Sequence, residues 1–277
     1  MNAVDSAMAP QAWLAQQERQ RRRNEVKHHA AVWSWRVFML ALVLGSWQIA
    51  ADRAWINPFF TSSPHAVYLY LRGALASPEF WSNVGVTVLE AGVSFIVGSV
   101  AAILFGFFLA QNRVARDATR PLLVIMNSMP RVALAPLLII WFGLGIGSKI
   151  AVGISLTFFV VLNGTLVGVD STDPDHRLLS RQLGLTARET FYKVVLPSSV
   201  VSIFAALNLG LVYGFLGVVV AEMLAAPKGL GYLIQYNAGI LRTDAVLGIV
   251  VFLALLVAAI VYLLDRLEAY LLRWRKP

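Results

Sequence analysis

Three stretches of this chain, residues 150–169, 194–221 and 245–264, carry no charged side chain at all. Each is close to the roughly 20 mostly apolar residues that a helix needs to cross about 30 Å of hydrocarbon. Three further runs approach the same condition. Residues 84–110 are interrupted only by Glu90, and residues 121–143 only by Arg131. Residues 37–51 are the shortest, with Trp33 to Arg36 ahead of them as an interfacial anchor. With 58% hydrophobic and 14% charged residues, the chain lies outside the range of soluble domains, whose apolar fraction is about 45–50%. The fold expected is all-α: a polytopic membrane protein of about six transmembrane helices. With no cysteine, neither a disulfide framework nor thiolate metal ligation is available.

Lysine and arginine set the orientation. With a cytoplasmic amino terminus, seventeen of them fall in cytoplasmic segments and five outside, namely Arg53, Arg72, Lys149, Lys228 and Arg242, with Arg131 left within a span. The positive-inside rule therefore places both termini in the cytoplasm. Residues 1–34 read as a mobile basic tail, and 267–277 as a second cytoplasmic tail. The run Arg19 to Arg23 is short, lacks interleaved aromatics and precedes a span, so it suits anionic lipid rather than nucleic acid. Residues 1–30 do not form a signal peptide, since no small-residue cleavage site follows the first apolar run. Residues 35–80 hold the first span and an outer segment, with an amphipathic helix expected at 66–76. A second outer segment, 226–244, reads as a turn followed by a short helix.

The polar break between the fourth and fifth spans lies on the cytoplasmic side and is unusually long. Asp173 can cap a helix whose first residue is Pro174. Gly184 tolerates the left-handed conformation that ends it, and Thr186 with Glu189 forms a capping box for a second helix. The segment is thus expected to be a bent helical elbow, with Leu178, Leu179, Leu183 and Leu185 available for burial. Arg177, Arg181 and Arg188 would meet water, headgroups or a partner. An amphipathic connector lying on lipid is the alternative reading of the same pattern.

Leu178-Leu179-Ser180, then three residues, Gly184, nine residues, and Val194-x-Leu196-Pro197 resembles the EAA coupling loop of type I ABC importer permeases. The glycine, the Leu-Pro and the intervals match, whereas Leu178-Leu179-Ser180 stands where the family has Glu-Ala-Ala. Met129 to Leu137 with Trp141-Phe142-Gly143, Ala221-Glu222-Met223 with Gly229 to Ile234, and Leu241 to Asp244 resemble the nitrate, sulfonate, taurine and bicarbonate branch. Together these cover roughly residues 81–266, with the elbow at 171–197. The resemblance implies a permease subunit of an ATP-driven, binding-protein-dependent importer of a small solute, an organic or inorganic anion such as sulfonate, taurine or nitrate, in a bacterial inner membrane. It also implies that Leu178, Leu179, Ser180, Gly184, Thr186, Glu189, Leu196 and Pro197 carry ATPase coupling. The partners implied are cytoplasmic ABC ATPase subunits, an extracytoplasmic solute-binding protein and a second permease copy, most simply a homodimer in membrane lipid.

Other chemistry is poorly served. Gly143 to Lys149 is glycine-rich, but its spacing is not that of a phosphate loop, so no cofactor is expected and ATP is assigned to the partner. His28, His29, His65 and His176 are scattered without metal-site spacing. An intramembrane enzyme would need a nucleophile and base at similar depth, and a passive channel would not need the elbow; these are the alternative functions. Asn127, Ser128, Arg131, Asn163 and Glu222 are the candidate pathway residues, because ionisable groups in spans usually face a cavity or partner. Arg131 has two readings: a cation meeting an anionic substrate, or a structural group paired with Glu222 or with backbone carbonyls freed by Pro130 and Pro136. Glu90 reads as a packing group and Glu222 as an organiser of the outer gate. Asn163 and Asn208 read as interhelical hydrogen-bond formers.

Overall fold

The computed structural model describes residues 3–273, without the side chains of 3–26, His29, Pro58 and Arg177. The side chains of the basic run Arg19 to Arg23 and of Arg177, and the whole of Arg275 and Lys276, therefore lie outside the described part. Two units divide the chain, 1–66 and 67–277.

In the first unit, α1 (Ala3–Asp52) is one continuous helix. The tail expected at 1–34 is therefore helical from Ala3 onward, in keeping with its many Ala, Gln, Glu and Arg residues, all strong helix formers. Its segment Ala30–Asp52 is long and apolar enough to span. Trp33, Trp35, Phe38 and Leu40 on it are exposed, as lipid-facing side chains are. A short helix, α2 (Pro58–Thr61), follows. Gln48 closes the turn by donating to Asp52 Oδ1 at 2.8 Å and accepting from the His65 N–H at 3.1 Å.

The second unit is built on three long helices: α4 (Pro78–Gln111), α7 (Ile146–Asp170) and α10 (Leu196–Ala225). Ahead of them lies α3 (Pro64–Leu75), the expected amphipathic helix. The three long helices meet through small residues. A Cβ on Gly106 of α4 would stand 2.7 Å from Thr165 Cγ2 of α7, and one on Gly217 of α10 would stand 2.7 Å from Leu156 Cδ1 of α7. Such close backbone approach is how helices associate in lipid, where apolar contact alone gives no preference for a neighbour. Hydroxyls cross the same seams: Thr157 donates to Gly210 O at 3.0 Å, and Ser94 donates to Ile150 O at 3.1 Å.

The expected third span, 121–143, is not one helix. It is α5 (Arg113–Ser128), a 3-10 turn (Arg131–Leu134) and α6 (Ala135–Phe142), bent by 84°. Pro130 explains the break. It lacks an N–H and disfavours helical geometry in the residue before it, and Met129 sits extended at φ −74°, ψ 134°. Pro136 lies in the first turn of α6, where a proline is tolerated. Among the described residues five helices can span, or six if the bent pair counts as one.

Helix α10 is preceded by α8 (Pro174–Gln182), α9 (Ala187–Thr190) and a π-helical turn (Phe191–Val195). After it come α11 (Leu230–Gly239), the expected short outer helix, and α12 (Thr243–Leu271). Helix α12 packs on the core through Leu253, Leu256 and Ile260 against Ala91, Leu211, Phe215 and Val218. Phe80 and Phe252 meet edge to face at 5.0 Å. A Cβ on Gly248 would stand 2.6 Å from Tyr70 Cδ1, so α3 lies tightly on α12. Burial there raises the Tyr70 phenol above its ordinary value, against the opposing pull of Arg242.

Candidate functional site

The elbow forms as its sequence signals require. Asp173 accepts from the Asp175 N–H at 2.9 Å at the start of α8. At its end Gly184 adopts φ +73°. The Leu185 N–H reaches Ser180 O and the Gly184 N–H reaches Arg181 O, both at 3.0 Å, which is the paired closure of a Schellman motif. Two residues past Gly184, the Thr186 N–H donates to Glu189 Oε2 at 3.0 Å while the Glu189 N–H donates to Thr186 Oγ1 at 3.2 Å, completing the capping box. Lys193 donates to Glu189 from the next turn at 3.2 Å.

From there the chain runs without a loop through the π turn into α10, with Pro197 in the first turn of α10, where its missing N–H costs little. Phe191 and Val195 bury against Val169 at the end of α7 and Phe107 on α4. The π turn behind the corner is thus packed against α7 and α4. The leucines behave differently from the expectation of burial. Leu178, Leu179 and Leu183 are 55%, 52% and 69% exposed, while Ser180 is buried and donates to His176 O at 2.7 Å. Helix α8 has only nine residues, and it turns its polar Ser180 side inward and its apolar side out. Leu185 is half-buried.

Of the pathway candidates, three come together. Asn127 of α5 and Asn163 of α7 exchange hydrogen bonds at 3.3 and 3.2 Å. Arg131 donates to Asn127 Oδ1 at 2.6 Å and to Met126 O at 3.2 Å, with its guanidinium 4.1 Å from the centroid of the Phe159 ring. Ser128 turns back on its own helix, donating to Val124 O at 2.9 Å. The pairing of Arg131 with Glu222 does not occur, because the break at Met129–Pro130 carries Arg131 to a freed carbonyl of α5 instead. No carboxylate neutralises Arg131 among the described residues. Asn208 joins helices as expected, donating to Asp265 Oδ1 at 2.6 Å.

Glu222 belongs to a separate buried polar core. Its Oε1 accepts from Thr87 Oγ1 at 2.7 Å, and its Oε2 accepts from the Gly231 N–H at 2.7 Å. The Leu230 N–H donates to Thr87 Oγ1 at 2.8 Å, and the Gly229 N–H donates to Asn83 Oδ1 at 2.7 Å. The entry to α11 is thus pinned to α4 and α10 through side chains. Only glycine fits there: Gly229 adopts φ +114°, and a Cβ on Gly231 would stand 2.7 Å from Glu222 Cβ. Lys149, counted above among the outer loop charges, is buried. Its Nζ donates to Leu144 O, to Gly145 O at 3.1 Å and to Ala225 O at 2.8 Å. It closes the end of α10 over the start of α7, within electrostatic reach of Glu90 and Glu222. Sequence reading missed it because its partners are backbone oxygens brought in by the fold.

An all-α bundle with spanning helices, a rigid polar elbow and a pinned short helix beyond the fifth span is the architecture of a transport permease. The chain belongs to the binding-protein-dependent transport system inner membrane component family, which it matches over residues 98–277. It is similar to the formylaminopyrimidine transport permease protein ThiX of Halalkalibacterium halodurans, with 30% identity over 86% of this chain and 94% of that one. It is likewise similar to the taurine transport system permease protein TauC of Escherichia coli, with 27% identity over 85% and 87% of the two chains. In fold it resembles a chain of the MetNI methionine ABC transporter solved in inward-facing conformations. The TM-score is 0.60 at 20% identity, covering 69% of this chain and 97% of that one. The protein is therefore a multi-pass inner-membrane permease of a binding-protein-dependent transport system.

Proposed function

We propose that two copies of this chain form the translocation path of an ATP-driven importer, with both termini and the elbow in the cytoplasm. Two ATPase subunits bind the ATP and seat α8, and a solute-binding protein delivers the cargo outside. The observation that carries this reading is the elbow. Leu178 and Leu179 stand exposed on a nine-residue helix and Leu183 stands exposed just past its end, in an otherwise polar segment, while the corner behind them is closed by a Schellman motif and a capping box. Exposed apolar side chains on a rigid mount suit a partner groove, and burying them would supply affinity.

Closure of the ATPase pair would carry α8 with it. Because the π turn joins α9 directly to α10, displacement at α8 reaches the bundle without being absorbed in a flexible loop. Such a lever works only if the partner binds the inward-open and outward-open arrangements with different affinity. The cargo assigned is a small anion, because Arg131 brings a positive charge to the Asn127–Asn163 pair with no carboxylate among the described residues to neutralise it. The test is co-purification of the ATPase subunits with the wild type and with Leu178→Ser/Leu179→Ser. Retention by the wild type and loss by the variant, with the permease itself still folded, is the expected result. Equal retention by both would remove α8 as the docking element.

A further inference from the structure

Beside the elbow lies a cavity of about 880 Å³, lined by four arginines together with Asp117 and Asp170. Arg113, Arg116 and Arg120 line it from α5, at a spacing that puts them on one helix face. Arg181 faces them from α8, and its far end is Asn127 with Asn163. Arg116 is committed: it grips Asp170 at the end of α7 through both terminal nitrogens and braces α5 against α7. Arg113 approaches Asp117 only at 3.9 Å, with both side chains largely exposed, so that pair contributes little. Arg120 and Arg181 have no hydrogen-bond or ion-pair partner for their guanidinium groups among the described residues.

We propose that this cavity is a binding site for a small oxyanion of the sulfate, sulfonate or phosphate class, held by Arg120 and Arg181 at the cytoplasmic end of the path. Guanidinium groups present paired N–H donors that match such oxygens, and two of them arriving from separate elements fix an anion where a single surface arginine would not. Arg116 and Asp170 hold the wall against which it sits. Asn127, which also accepts from Arg131, carries the polar lining onward from this cavity into the span. The site rests on the proposed orientation only for its side of the membrane. The oxyanion has two possible sources, free solute in the cytoplasm or the phosphate of an anionic lipid headgroup.

The experiment uses the full chain in nanodiscs of phosphatidylcholine, with radiolabelled sulfate as the probe in equilibrium dialysis. Saturable sulfate binding is expected, weakened about tenfold or more in Arg120→Gln/Arg181→Gln and unchanged in Arg72→Gln. Phosphatidylglycerol in the nanodisc separates the sources. Competition with sulfate, or lipid that co-purifies with the wild type and is lost from the double variant, assigns the site to headgroups. Binding indifferent to phosphatidylglycerol assigns it to free solute. Neither sulfate nor phosphatidylglycerol bound, or binding equal in the double variant, overturns the site. Arg181→Gln alone serves if the double variant does not fold. Because sulfate binding is read without transport, failure here with ATPase co-purification intact would sink the site and leave the importer reading standing.

Discussion

The elbow at 174–195 and the polar core around Glu222 both hold a turn of chain in a fixed geometry, but they draw on different partners. Elbow contacts are mostly local. Asp173 bonds Asp175, Thr186 bonds Glu189, and Lys193 bonds Glu189, leaving the apolar face of α8 open. The Glu222 core joins residues far apart in sequence, Asn83 and Thr87 of α4 with Gly229 to Gly231, and almost every donor is satisfied inside the protein. A region built from local capping keeps its shape while offering its surface to another molecule. A region built from buried cross-helix bonds is spent on holding the bundle together. Substitutions should therefore separate: core changes lower the amount of folded permease, and elbow changes lower coupling in permease that is still folded.

The largest effect is expected at Glu222. Glu222→Leu leaves the Gly231 N–H without its acceptor, leaves the Thr87 hydroxyl with only Asn83 O at 3.3 Å, and takes a carboxylate from the reach of buried Lys149. Leaving a buried backbone N–H without an acceptor costs about 1–3 kcal/mol, and the lost side-chain ties between α4, α10 and α11 add to it. Thermal unfolding followed by size-exclusion chromatography should show little folded protein, with Glu222→Gln intermediate because an acceptor remains. Near-normal folded yield in Glu222→Leu would erase the contrast between the two regions.

Next comes Gly184→Val. At φ +73° a branched side chain opposes the corner by about 1–2 kcal/mol, a local cost that should leave the bundle folded. Uptake should fall severalfold while the amount in the membrane stays close to wild type. An equal loss of both would mean that the elbow, like the outer core, is needed to hold the bundle together.

Arg131 tests the anion assignment. Arg131→Gln should lower uptake per assembled complex, with Arg131→Lys retaining part of it because the charge persists. Parallel loss of assembly and uptake in both variants would instead assign Arg131 to holding the 129–134 break together. The smallest effect is expected at the cap: Thr186→Ala removes one capping acceptor, worth about 1 kcal/mol, and should reduce uptake modestly with unchanged membrane level.

How much of this was legible in the sequence follows the same division. The elbow could be read because Asp173-Pro174, Gly184 and the Thr186–Glu189 pair act over a few residues, and α3 and α11 could be read for the same reason. The break at 129–134 was half legible: Pro130 and Pro136 were read as freeing carbonyls within one span, whereas Pro130 ends α5 and Pro136 sits in the first turn of α6. Lys149 was read as an outer loop charge because the Ala225 carbonyl it grips is 76 residues away in the chain. Glu222 was placed near a gate, but its partner Thr87 lies 135 residues away and no local pattern announces it. The leucines of α8 have the wrong exposure for a single chain, and the second molecule that would cover them is invisible to any one-chain reading.

The chain has no cysteine, so a single Leu179→Cys substitution gives one unique reactive thiol on the open face of the elbow. The account predicts that a membrane-impermeant maleimide labels it in inside-out vesicles and not in intact spheroplasts, and that ATPase subunits bound to the vesicles protect it. Labelling from the outer side, or labelling that bound ATPase leaves unchanged, would contradict the claim that this elbow is where the permease meets its motor.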